Sequence, residues 1–317
     1  MTRGWQRAVG SIARHGIFFA LATELVVFSL LSPHFLSLEN QRNVLEQNSA
    51  ITVLAVGMTF VILTGGIDLS VGSLVALSSV VCAWTLVRLA DAHTSSTLAV
   101  ALAVVAGSGA AAFAGCISGL VTTRVRIPPF VATLAMLTMA RGAVLQWTDS
   151  RTISGLPSLF GDLGRSAAPV AVMAIVVVAA WLVLARTVFG RHVYAVGGNP
   201  EAARLSGIRV SRTLTQVYAL SGFLAGIAGV LMAARLNVGD PRSGEFYELD
   251  AIAAVVVGGT SLQGGRGSIW GTLAGALVIG ELNNFLTLMD VQHYSQKIVI
   301  GVVLIFAAFL DRFRTER

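Results

Sequence analysis

Ala50-Ile51-Thr52-Val53-Leu54-Ala55-Val56-Gly57-Met58-Thr59-Phe60-Val61-Ile62-Leu63-Thr64 runs straight into Gly65-Gly66-Ile67-Asp68-Leu69-Ser70-Val71-Gly72-Ser73. The apolar part, about 50–64, is too short to cross hydrocarbon, which takes about 20 residues of helix. A glycine pair stops it, and an apolar run long enough to cross, 73–90, follows. The order recurs near the other end. Ala251-Ile252-Ala253-Ala254-Val255-Val256-Val257-Gly258-Gly259-Thr260 aligns with 50–59, and after a two-residue gap Gly264, Gly265 and Gly271 align with Gly65, Gly66 and Gly72. The repeat unit is a short helix, a glycine break and a long return helix. Backbone released at such a break must be buried in protein or line a cavity. Interrupted apolar segments at matching places in two halves point to a transport pathway.

Outward from these two breaks the chain is apolar. Of 317 residues, 55% are apolar and 12% charged, with a mean hydropathy of +0.77. Soluble domains carry about 25% charged residues, so the soluble-enzyme classes and disorder are both excluded. Full-length spans are expected at 16–32, 73–90, 97–121, 129–148, 168–185, 213–234, 268–289 and 296–310. The first reads as an anchor, since Pro33-His34-Phe35 and a polar stretch follow it instead of a cleavage site. Small residues four apart, as in Gly115/Gly119, Gly222/Gly226 and Gly271/Gly275, are expected at close helix contacts.

Basic residues mark the cytoplasmic side. Arg3, Arg7 and Arg14, then Arg124 and Arg126, the five arginines of 186–212, and Arg312, Arg314 and Arg317 share one side only if both short segments count as crossings. The expected fold is therefore all-α and polytopic, with about ten crossings and both termini inside. It forms a single membrane domain over 1–317, and 32–49 is an outer loop. Fourteen of the 22 basic residues then lie inside, with Asp68, Glu201, Asp311 and Glu316 as the acids there. Treating the short segments as re-entrant gives eight crossings and the same orientation. The net charge of +6 is too scattered for nucleic acid.

Several chemistries are missing from the sequence. No GxxxxGK[ST] occurs, since the sole lysine is Lys297, after Ser295-Gln296. There is no HExxH or GxSxG. His15, His34, His93, His192 and His293 are far apart, and Cys82 and Cys116 sit in apolar runs, so no metal site or disulfide is expected. Ionisable residues within spans are functional candidates by default. They are Glu24, Asp68, Arg141 and Glu281, with Asn283 and Asn284 beside the last. Asp68 also reads as a cap for the helix that follows it.

Two stretches carry a more specific likeness: Val56 to Ser73, and Tyr247-Glu248-Leu249-Asp250-Ala251 through Thr260-Ser261-Leu262. Pro129-Phe130-Val131-Ala132-Thr133-Leu134, Tyr194-Ala195-Val196-Gly197-Gly198-Asn199 and Asn283-Asn284 agree with it. Over about 35–310 the chain resembles the permease subunits of bacterial ABC sugar importers, most closely the ribose-type permeases. Glu281 departs from that pattern, which usually has an apolar residue there. The resemblance implies a multi-pass protein of the bacterial inner membrane that pairs with a second permease copy. It further implies a cytoplasmic ATPase that binds the ATP and Mg, and an extracytoplasmic sugar-binding protein. No cofactor is expected in this chain, and no enzyme activity. A sugar pathway needs amides, hydroxyls and an aromatic face, and the candidates are Asn48, Ser49, Thr59, Asp68, Phe130, Thr133, Asn283 and Asn284. An ion-coupled secondary transporter is the competing reading, with Glu24, Asp68 or Glu281 as its relay.

Loop 186–212 contains a helix of its own. Asn199 is its N-cap, Pro200 its first residue and Glu201 lies in its first turn; Ala202, Ala203, Arg204, Leu205 and Ser206 complete two turns, and Gly207 ends it. So short a helix is marginal alone and needs a surface to pack on. Under the resemblance this is the coupling helix. Its Ala202, Ala203, Leu205 and Ser206 face enters a groove of the ATPase, and Arg204 and Arg209 meet acids there.

Overall fold

The computed structural model describes residues 2–92 and 94–315, with side chains from residue 16 onward except those of 293, 307, 308 and 310–315. The side chains of Arg3, Arg7, Arg14, His15, His293, Asp311, Arg312 and Arg314, and all of His93, Glu316 and Arg317, lie outside the described residues.

Among the described residues all regular structure is helical, apart from one isolated bridge between Ile153 and Gly239. The helices are α1 (Thr2–Leu31), α2 (Leu38–Leu63), α3 (Val71–Asp91), α4 (Ser96–Leu120), α5 (Pro129–Trp147), α6 (Ser158–Asp162), α7 (Ala167–Arg186), α8 (Val188–Gly198), α9 (Pro200–Leu205), α10 (Val210–Leu236), α11 (Tyr247–Val257), α12 (Ile269–Leu288) and α13 (His293–Thr315). One π turn, Val121–Val125, prolongs α4. Six of these are long and apolar enough to cross a membrane: α2, α3, α4 with its π turn, α5, α7 and α10. α12 has the length, but Glu281, Asn283 and Asn284 dilute its C-terminal half.

α2 and α10 form the centre. Of their most apolar windows, 78% and 72% of residues are buried, against 28% for α5 and for α7 at the rim. Glycine makes the tightest contacts possible. A Cβ on Gly115 would meet Tyr218 O and the Gly222 Cα, one on Gly119 the Thr215 Cα, and one on Gly226 the Ser108 Cα. α4 and α10 thus touch backbone to backbone along both expected glycine pairs. Gly271 and Gly275 bring α12 against Gly258 and Ala254 at the end of α11 in the same way. Such approach provides the dispersion contact that drives association where lipid is as apolar as the side chains.

Two expectations about the first half-repeat need correction. Of the expected outer loop 32–49 only 32–37 is non-helical, and 50–64 is not a short helix. α2 starts at Leu38, capped by Ser37 Oγ, which accepts from the Asn40 N–H, and runs 26 residues. Glu39, Arg42, Asn43 and Gln47 are exposed, but Asn40, Gln41 and Asn48 face protein. Asn40 and Asn284 exchange amide hydrogen bonds of 2.8 and 2.9 Å, Gln41 Nε2 lies 3.4 Å from Glu281 Oε2, and Asn48 Nδ2 donates to Ala276 O at 2.7 Å. The second half-repeat does hold a short helix, the 11 residues of α11. Loop 186–212 is also more ordered than expected, since it contains α8 as well as α9.

Candidate functional site

The two breaks meet. Gly265 N donates to Leu63 O at 2.9 Å, so the chain after α11 is hydrogen bonded to the last turn of α2. Gly65 and Gly264, which correspond in the repeat, have φ of +76° and +84°, a left-handed region that costs glycine nothing. A third strand of backbone passes through the same point. A Cβ on Gly197 would collide with Leu63 O and Gly265 N, and one on Gly265 would lie 2.9 Å from the Gly198 Cα. Tyr194 Oη donates to Gly267 O at 2.9 Å. The C-terminal turn of α8 is therefore wedged against both breaks, and the next residue is the cap of α9.

Asn199 caps α9 as expected, with its Oδ1 accepting from the N–H groups of Glu201 and Ala202, each at 3.0 Å. Gly207 ends the helix with φ +84°. Ala203 is the one residue of α9 that is buried, and its side faces the rest of the chain; Leu205 is 75% exposed. The outward face is thus Glu201, Ala202, Arg204, Leu205 and Ser206, without Ala203. Arg204 does not wait for an outside acid. It is paired with Glu201 one turn earlier by bonds of 3.0 and 2.6 Å, which holds the Glu201 carboxyl below its usual range. Beside α9 a cavity of about 570 Å³ is lined by Val183, Phe189, His192, Arg209 and Arg212, among others.

Asp68 pins the first break. Its Oδ1 accepts from Ser70 N at 3.0 Å and Ser70 Oγ at 2.6 Å, and its Oδ2 from Ser221 Oγ of α10 at 2.9 Å. The side chain is fully buried, as is Tyr218, whose Oη presses on Gly66 and has no hydrogen-bond partner. Asp68 does more than cap, since it joins the break to the central helix. Thr133 Oγ1 on α5 reaches Ile67 O of the same break at 3.3 Å, and Thr59 Oγ1 lies 2.7 Å from Thr272 Oγ1, tying α2 to α12. Phe130 is 54% exposed on α5, away from these contacts, and Ser49 Oγ bonds back to Leu45 O.

Asn48, Asn283 and Asn284 come together in a second place. They line a cavity of about 310 Å³ between α2, α11, α12 and α13, which also presents Tyr247, Asp250, Gln296 and Lys297. The sequence candidates therefore divide in two: Asn48, Asn283 and Asn284 at this cavity, and Thr59, Asp68 and Thr133 at or near the first break. The sequence reading missed Asp250 and Lys297. The available signal was a lone lysine in an apolar helix and an aspartate in the first turn of the short segment. It gave Gly197 no place at the site; the only local signal there is the pair Gly197-Gly198, which does not say what the backbone would meet. Glu24 Oε2 on α1 is buried without a hydrogen-bond partner. Arg141 donates to Pro241 O, Ser243 O and Gly72 O at 2.7, 3.1 and 3.3 Å, so it ties α5 to the loop before α11. Among the described residues no cluster of three or more His, Cys, Asp or Glu could hold a metal.

A many-helix membrane protein with two touching backbone breaks and polar groups around a cavity defines a transport subunit. Comparison with known proteins gives the family. The chain belongs to the family described as the permease component of the branched-chain amino acid transport system, which matches residues 41–308. It is 44% identical to the ribose import permease protein of Bacillus subtilis (strain 168), covering 96% of this chain and 94% of that one. The ribose import permease protein of Escherichia coli (strain K12) is also 44% identical, over 92% and 91% of the two chains. The fructose import permease protein of Rhizobium meliloti is 36% identical, over 92% and 83%. No solved structure matches.

Proposed function

We propose that this chain is the membrane permease subunit of an ATP-driven ABC importer for a monosaccharide, with ribose as the sugar. It carries no ATPase of its own and works as a single membrane domain of ten crossings, both termini cytoplasmic. Two copies pair; an ATPase docks inside and binds ATP and Mg, and a sugar-binding protein docks outside. The observation that carries this reading is the contact of Gly197 and Gly198 with both glycine breaks, one residue before the cap of α9. A force applied to α9 by a closing ATPase reaches the broken segments through α8 without an intervening flexible linker. The 44% identity to two ribose import permeases supports the sugar. α9 is then the coupling helix, and its exposed Leu205 is the residue that enters the ATPase.

The test is uptake of labelled D-ribose into proteoliposomes holding the chain, its ATPase and its binding protein. Uptake that requires ATP on the ATPase side supports the reading. Uptake by the chain alone under a proton or sodium gradient overturns it in favour of a secondary transporter. For topology, single cysteines at Ser154 and Asp240 should label from outside intact cells, and one at Gly207 should not.

A further inference from the structure

Three ion pairs occur among the described residues, and two of them lie within one helix: Arg42–Glu46 in α2 and Glu201–Arg204 in α9. The third joins two helices. Lys297 Nζ on α13 donates to Asp250 Oδ1 and Oδ2 on α11 at 3.0 and 2.8 Å. The Asp250 side chain is 4% exposed and that of Lys297 33%. An ion pair removed from water is weak evidence for stability, because desolvation offsets the attraction. Its position is more telling, since both residues line the 310 Å³ cavity.

The hydrogen-bonding capacity around that cavity is unevenly spent. Asn48 uses its N–H group on Ala276 O, and Gln296 uses its own on Thr287 Oγ1 and Val291 O, so each has its carbonyl oxygen left as an acceptor. Lys297 has three N–H donors and Asp250 accepts two. No residue hydrogen bonds to the Asn283 side chain among the described residues, and Tyr247 adds an aromatic wall. The cavity thus offers acceptors and donors in close alternation; the Asp250 carboxylate and Lys297 ammonium cancel in charge, and the Arg235 guanidinium at the wall adds further donors. Alternating acceptors and donors match adjacent hydroxyls, each of which both donates and accepts. The volume lies at the small end of the about 300–1,000 Å³ typical of small-molecule sites.

We propose that the cavity between α2, α11, α12 and α13 is a low-affinity subsite for a neutral monosaccharide, in which the Asp250–Lys297 pair reads two adjacent hydroxyls. Charge-assisted hydrogen bonds are about twice as strong as neutral ones, so the pair contributes selectivity without a deep pocket. The inference rests on the importer reading and adds a place where the permease itself touches the sugar. Asp250, Lys297 and Asn283 touch the sugar, and Asn48 and Gln296 complete the wall.

The experiment is saturation-transfer NMR on the permease–ATPase complex without its binding protein, with D-ribose in the millimolar range. The expected result is transfer to ribose protons in the wild-type complex, falling about tenfold in the double variant Asp250→Asn/Lys297→Met. That variant removes both charges together and so leaves no lone buried ion. Should it fail to assemble with the ATPase, Asn283→Ala, which breaks no internal hydrogen bond, must lower transfer instead. Unchanged transfer in assembled variants overturns the subsite. Stronger transfer to D-ribonate than to D-ribose overturns the neutral assignment, with Arg235 at the cavity wall as the cause. A wild-type complex that imports ribose with its binding protein yet shows no transfer sinks the subsite and leaves the importer reading intact. If no monosaccharide is imported, both fall.

Discussion

At the first break the chain passes from α2 to α3 in seven residues, 64–70, and at the second from α11 to α12 in eleven, 258–268. One glycine at the first break has positive φ, Gly65, whereas Gly259, Gly264, Gly265 and Gly267 do at the second. The first is held by side chains, with the Asp68 carboxylate gathering Ser70 and, across the helix packing, Ser221. The second has no such carboxylate. It is held through its own backbone groups, with Gly265 N donating to Leu63 O and Gly267 O accepting from the Tyr194 hydroxyl. The repeat has thus preserved the turn and not the means of fastening it. The first break takes its position from α10, in the middle of the protein. The second takes its position from the first and from α8, the helix that leads into α9.

The largest expected effect separates two adjacent glycines. Gly197→Ala puts a Cβ onto Leu63 O and Gly265 N, both backbone, whereas a Cβ on Gly198 has open space. Gly197→Ala should lower stability by about 3 kcal/mol or prevent assembly, and Gly198→Ala should do neither. Thermal unfolding of the two purified variants checks this. Equal behaviour would mean that α8 is not wedged between the breaks.

Next, the two breaks should respond to deletion with opposite sign. Asp68→Ala orphans the buried Ser70 and Ser221 donors and should cost about 2–3 kcal/mol. Thr260, fully buried, has an Oγ1 without a partner, so Thr260→Val should be neutral or stabilising by about 1 kcal/mol. Matched unfolding midpoints read both. A smaller loss, about 1 kcal/mol, is expected for Tyr194→Phe, which releases Gly267 O. Its sharper readout is sugar imported per ATP, which should fall while ATPase activity persists. The smallest effect belongs to α9. Asn199→Ala loses a cap, about 1 kcal/mol confined to that helix, and Arg204→Gln should leave the unfolding midpoint unchanged because the Glu201–Arg204 pair is exposed.

Much of this was legible in the chain. Glycine pairs, Asn199-Pro200 and Gly207 carry their own conformational meaning, so the breaks and α9 follow from neighbours in sequence. The long apolar helices follow from composition alone. What stayed hidden depends on partners far along the chain. Hydropathy read 38–49 as solvent-facing, because the residues that satisfy Asn40, Gln41 and Asn48 lie 228 to 244 positions away. Asp250 and Lys297 are 47 residues apart, and each alone resembles an ordinary interfacial charge. The convergence of 197, 265 and 63 is a property of backbone paths, which no side-chain pattern announces.

Lys297 is the chain's sole lysine, and its ammonium stands in the wall of the cavity, one-third exposed. Apart from the α-amino group, the molecule therefore offers amine chemistry a single address. An acylating reagent has one side chain to find, and a spectrum of lysine nitrogens has one line. The protein carries a built-in reporter at the place where its polar groups converge, readable in the unaltered sequence.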